Sequence, residues 1–90
     1  AWALAGRGQA LRMLGQLDAA LDDFHQAIAI NPNFVWALVN RGHVFRLKGQ
    51  YQRALADFDR AISLDPNNAW AMAGRAQVNR ALQRYDQAQT

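Results

Sequence analysis

The chain has 90 residues, 51% of them hydrophobic and 19% charged, far from the polar, highly charged composition that leaves chains disordered. A length of this order buries only about 60 to 65% of the surface the unfolded chain exposes, which limits it to one compact unit. The absence of cysteine excludes disulfides, thiolate catalysis and cysteine-based zinc sites, and a net charge of +3, from nine arginines and one lysine against seven aspartates, favours acidic partners only weakly.

Taken in chain order, the apolar residues follow a period near 3.6, which predicts helices throughout. Leu4, Gly8, Leu11 and Leu14 mark one face of a first helix over 2–14. Gly15 follows, a residue that closes a helix in the left-handed region without steric cost. Leu17, Ala20, Leu21, Phe24, Ala27 and Ile28 mark a second helix over 18–30. It must stop at Asn31-Pro32, since proline lacks the amide a continuing helix needs and disfavours helical geometry in the residue before it. The same grammar predicts helices over 35–48 and 52–64, separated by Gly49 and ended by Asp65-Pro66. A fifth is expected over 69–82, with a stub of a sixth beginning near Asp86. No apolar stretch approaches the roughly eighteen residues that span a bilayer, and the start lacks the order of a secretory signal. The first residue, Ala1, suggests a piece of a longer protein.

The two proline turns lie 34 residues apart, and that offset aligns Trp2, Trp36 and Trp70, then Arg7, Arg41 and Arg75, then Arg12, Arg46 and Arg80. Between residues 1–34 and 35–68, 16 of 34 positions are identical. The expected organisation is therefore a single domain over 1–90, with repeats at 1–34 and 35–68 and a third, truncated copy at 69–90.

These residues resemble the tetratricopeptide repeat family. Gly8, Ala20, Phe24, Ala27 and Pro32 fall on its small-residue, aromatic and proline positions, as do Gly42, Ala54, Phe58, Ala61 and Pro66, while Ala76, Tyr85 and Ala88 fit in the third copy. The family's tryptophan position is held by Leu4, Leu38 and Met72, so Trp2, Trp36 and Trp70 are not the signature tryptophans. Arginine before the glycine resembles an arginine–glycine subtype of the repeat. The resemblance implies an all-α, right-handed superhelical solenoid of antiparallel helix pairs, about two and a half repeats long. In its register Asp23 and Asp57 stand ready to pair with Arg7 and Arg41, for at most about 1 kcal/mol each if exposed. The counterpart for Arg75 is missing.

In this family the first helices of successive repeats line a concave groove that takes partner peptides. Carried over by register, the implied groove residues are Trp2, Gln9 and Arg12, then Trp36, Val39, Asn40, His43 and Arg46, then Trp70, Gln77 and Arg80. Tryptophan and arginine are the types enriched where interfaces concentrate their energy. Each stripe also has a plainer reading, the tryptophans as packing and the arginines as a solvated helix face. His43 is expected to be an ordinary groove residue and His25 simply exposed. Of the residues with which some members grip a chaperone's terminal carboxylate, only Asn40 is kept; Ala5, Gln9, Trp70 and Gly74 replace the others.

Catalytic chemistry is not expected. Ser63 is the only serine, neither His25 nor His43 has a carboxylate at triad or metal spacing, and no cofactor or metal is implied. The expected function is a protein–protein interaction module, a scaffold or adaptor part of a larger protein with a protein or peptide partner. The alternative is homo-oligomerisation through uncovered repeat ends, where Met72, Ala76, Leu82 and Tyr85 lack a covering helix. RNA binding is a lesser alternative, since +3 is a modest charge for nucleic acid, and no membrane role is expected. A cytoplasmic location is only a default.

Overall fold

The computed structural model describes the backbone of residues 1–89 and the side chains of residues 1–84. The described residues form five helices: α1 (Trp2–Met13), α2 (Leu17–Ile30), α3 (Val35–Leu47), α4 (Tyr51–Leu64) and α5 (Ala69–Gln89). Consecutive helices pack as antiparallel pairs, and the pairs stack into a solenoid of about two and a half repeats.

The turns inside each repeat follow from glycine. Gly15 and Gly49 have φ of 81° and 77°. At the first turn Gly15 N–H donates to Arg12 O (3.0 Å) and Gln16 N–H to Leu11 O (2.9 Å); Gly49 and Gln50 repeat this toward Arg46 and Phe45. This paired closure satisfies carbonyls that the helix end leaves free. In the third copy the same position is Gln83, a residue with no licence for the left-handed region, and α5 runs on through it to Gln89. The expected end at 82 and separate stub at Asp86 are thus corrected to one continuous helix. Between repeats, proline occupies the second position of a tight turn, closed by Phe34 N–H to Asn31 O and by Asn68 N–H to Asp65 O, both 3.1 Å. Asn68 also caps α5, its Oδ1 accepting from Ala71 N–H at 2.9 Å.

Aromatic rings set in glycine notches hold the pairs together. A Cβ on Gly8 would lie 2.8 Å from the Phe24 ring, and one on Gly42 would lie 2.8 Å from Phe58. Phe58 also faces the next repeat, where a Cβ on Gly74 would come within 2.5 Å. Ala20, Phe24, Ala27, Ala54, Phe58 and Ala61 are fully buried, whereas Pro32 and Pro66 are exposed in their turns. Met72 and Ala76 are exposed and Leu82 is half-buried; the side chains of Tyr85 and Ala88 lie outside the described residues.

Curvature follows from which helices meet. α1 touches α3 and α3 touches α5, while α2 and α4 share no close contact. The odd-numbered helices therefore form the inner, concave face, and α3 is covered on both flanks.

Candidate functional site

The concave face carries three aromatic side chains in unequal settings. Trp2 is 71% exposed, yet its ring lies 4.7 Å from Phe34 and 5.3 Å from Trp36. Trp36 is half-buried against the core and Trp70 is 37% exposed. Trp70 stacks on His43 at 5.3 Å, and His43 meets the Phe58 ring edge-on at 5.0 Å. The tryptophans therefore form two clusters, and each serves packing and surface together.

Several residues assigned to the groove by register lie elsewhere. Val39 and Asn40 are fully buried and belong to the core instead of the groove surface. Asn40 Nδ2 donates to Trp36 O at 2.9 Å. His43 is 6% exposed, a packed residue beneath Trp70 more than an open groove residue. Gln9, Arg12 and Arg46 are half-buried, whereas Gln77 and Arg80 are exposed.

Burial, then the neighbouring Arg46 and Arg12, pushes the His43 imidazole down to about 4, so it is neutral near pH 7. Arg46 Nη2 lies 3.4 Å from His43 Nδ1. A guanidinium can only donate, which leaves the imidazole proton on Nε2. Burial and then Arg46 likewise make the charged form of Arg12 less favourable than usual. The inner face is therefore positive where the first two repeats meet.

The outer side is ordered by ion pairs. Arg7 donates through Nε and Nη2 to both Asp23 oxygens at 2.7 Å, and Arg41 does the same to Asp57 at 2.8 and 2.7 Å. The hydrogen bonds from Arg7 hold the Asp23 carboxyl below its ordinary range. These pairs are not the fully exposed ones that the 1 kcal/mol figure assumed: the side chains of Asp23 and Asp57 are only 4% and 7% exposed. Arg41 also reaches back, with Nη1 donating to His25 Nδ1 at 3.1 Å and its charge 5.9 Å above the Phe45 ring. Arg75 is not unpaired, because Nη1 lies 3.2 Å from Asp59 Oδ1. Both backward contacts span the same 16 residues as the forward pairs, so the spacing of His25 and Asp59 was a signal available in the sequence. Lys48 pairs with Asp18 across the first two repeats. His25 is exposed, yet it joins Arg41, Phe45 and Lys48 in lining an outer cleft of about 440 Å³. In that cleft Arg41 and Lys48 already hold carboxylates.

Among the described residues, no three histidine or acidic side chains gather as a metal site would require, and no helix is long and apolar enough to cross a membrane.

No curated protein sequence matches the chain significantly. Among solved structures, the first TPR of Spaghetti (RPAP3), bound to the HSP90 peptide SRMEEVD, is 26% identical with a TM-score of 0.86, over 89% of this chain and 64% of that one. The Arabidopsis OM64 TPR domain is 27% identical with a TM-score of 0.83, over 87% and 64%. The first TPR domain of the human RPAP3 protein is 25% identical with a TM-score of 0.87, over 93% and 66%. The chain thus spans less than two thirds of the length of each. A tetratricopeptide repeat family model matches residues 1–34 and 35–68, and a second matches 58–90. With its helix pairs, glycine notches and proline turns all in that register, the chain belongs to the tetratricopeptide repeat family.

Proposed function

We propose that this chain is a protein-interaction module that holds a peptide or protein segment along its concave face, as the scaffold or adaptor part of a larger protein. The observation that carries this reading is the joint occurrence, on α1, α3 and α5, of accessible tryptophan surface and arginines without carboxylate partners among the described residues. The related first TPR of Spaghetti, solved with an HSP90 peptide, supports peptide binding as a use of this fold. The chaperone tail itself is a poor candidate for this chain. Asn40, the one retained member of that carboxylate grip, is fully buried and spends its amide on Trp36 O. A bound segment is held along its length by Trp36 and Trp70 more than by its terminus.

The test is a peptide screen against the intact chain, followed by Trp70→Ala and Trp36→Ala. Groove binding predicts that Trp70→Ala weakens the selected peptide at least tenfold while the melting temperature moves by only a few degrees. A variant that melts far lower and binds as before would make its tryptophan a core residue and remove it from the site.

Self-association is the second reading, favoured by the exposure of Met72 (40%) and Ala76 on α5. Light scattering across a range of concentrations separates the two. A monomer throughout leaves the groove free, and a discrete dimer moves assembly ahead.

A further inference from the structure

Six described arginines have no carboxylate partner among the described residues: Arg12, Arg46, Arg53, Arg60, Arg80 and Arg84. Only Arg12 and Arg46 are half-buried, and they share one repeat position on the adjacent helices α1 and α3. Like charges are thereby brought together in a partly desolvated place, against their own preference, as the unfavourable effect of Arg46 on Arg12 records. Their Nε groups are buried without acceptors, and so is Nε2 of His43, which both arginines influence. Three buried donors are thus unpaired on α1 and α3, as is one buried acceptor, Asn40 Oδ1, and neither guanidinium has a carboxylate among the described residues, although buried polar groups in folded proteins are nearly always satisfied. The repeat pattern does not explain the arrangement, since the third member of the stripe, Arg80, is exposed, and Gln9 and Gln77 stand where His43 does.

We propose that Arg12 and Arg46 form a two-guanidinium seat for one carboxylate side chain, an aspartate or glutamate carried inside an extended segment that also covers Trp70. The proposal rests on the groove reading above and sharpens it to one chemical group at one place. Guanidinium forks match carboxylate geometry, and burial strengthens the pairing. A nucleic-acid backbone would call for a row of such seats, whereas this face has one, next to apolar surface. His43 acts as a positioning residue, its Nδ1 receiving Arg46.

The test uses the intact chain and a small probe, acetyl-aspartate amide, with acetyl-asparagine amide as its neutral twin. Arginine Nε–H resonances are followed by NMR at pH 7 as each is added. The seat predicts a saturable shift at Arg12 and Arg46 with the aspartate probe, none with the asparagine probe, and none at Arg80. Arg12→Gln should weaken the response of Arg46 at least tenfold, and Arg53→Gln, at an exposed position on the outer helix α4, should leave it unchanged, with thermal melts confirming that both variants are folded. Equal, non-saturating shifts at all exposed arginines would reduce the effect to general screening and overturn the seat. Inorganic phosphate binding more than tenfold tighter than the aspartate probe would overturn the assignment to carboxylate. Because the probe reports without a peptide, failure of the groove reading is separate: selected peptides would then contact α2 and α4 while Arg12 and Arg46 still respond to the probe.

Discussion

The first and second repeats meet in the same register as the second and third, yet different residues make the two junctions. At the first, His25 accepts from Arg41; at the second, Asp59 takes that place and pairs with Arg75. Phe34 backs the first tryptophan cluster, whereas Asn68, its counterpart, caps α5. Asn40 is packed inside the core with its amide bonded to Trp36 O, while the matching Gly74 leaves room for the Phe58 ring. Repeated alanine, glycine and phenylalanine positions build one scaffold twice. The positions free to differ then give each junction its own charge and surface, and only the first acquires a half-buried cationic pair.

The largest expected effect lies in the ion pairs that span each helix pair. Arg41→Ala should destabilise the chain by about 3 kcal/mol in urea unfolding, because it strands the buried Asp57 carboxylate and also removes the bond to His25. Arg7→Ala should cost less, since the Arg7 side chain is 65% exposed and water can take its place. Equal losses at the two sites would erase the contrast between a central and a terminal repeat.

Acid should weaken the second junction next. His43 is pushed from 6.5 to about 4 in the folded chain, so between those values the unfolded chain binds the proton that the folded one refuses. Stability is then complete above about pH 6.5 and falls as pH drops toward 4, by about 2 to 3 kcal/mol. His25 is shifted down as well, chiefly by burial, and acts in the same direction. His43→Gln should flatten most of this slope in urea titrations at pH 7, 6, 5 and 4.5, whereas an unchanged slope would place the proton uptake elsewhere.

The smallest effects compare one register at two depths. Gly74→Ala should cost about 1 to 3 kcal/mol, since its Cβ would meet the Phe58 ring at 2.5 Å. Gly6→Ala, with nothing within 4 Å, should gain about 0.5 to 1 kcal/mol from helix propensity alone. Thermal melts of the two variants moving in opposite directions would sharpen the comparison.

Much of this fold was legible because backbone chemistry announces it: Gly15 and Gly49 at positive φ, the two proline turns, and phenylalanine opposite glycine. The run of α5 through Gln83 was legible too, since no glycine stands there to close the helix. The site was less so. Register says which residues share a face, but exposure depends on how many neighbours the helix has. Ala5 on α1 and Val39 on α3 each lie on a helix with a following repeat beside it and are buried, while Ala73, in their register on α5, is exposed. Likewise the positions of Arg12, Arg46 and Arg80 are equivalent in sequence and become different only when α3 packs beside α1.

The central claim, that the face made by α1, α3 and α5 is the binding face, is tested most directly by the indole N–H resonances of Trp36 and Trp70 in the presence of a selected peptide. The account predicts that both shift saturably while His25 and Asp59, on the outer helices, stay still. Shifts confined to α2 and α4, with both indoles unmoved, would contradict it.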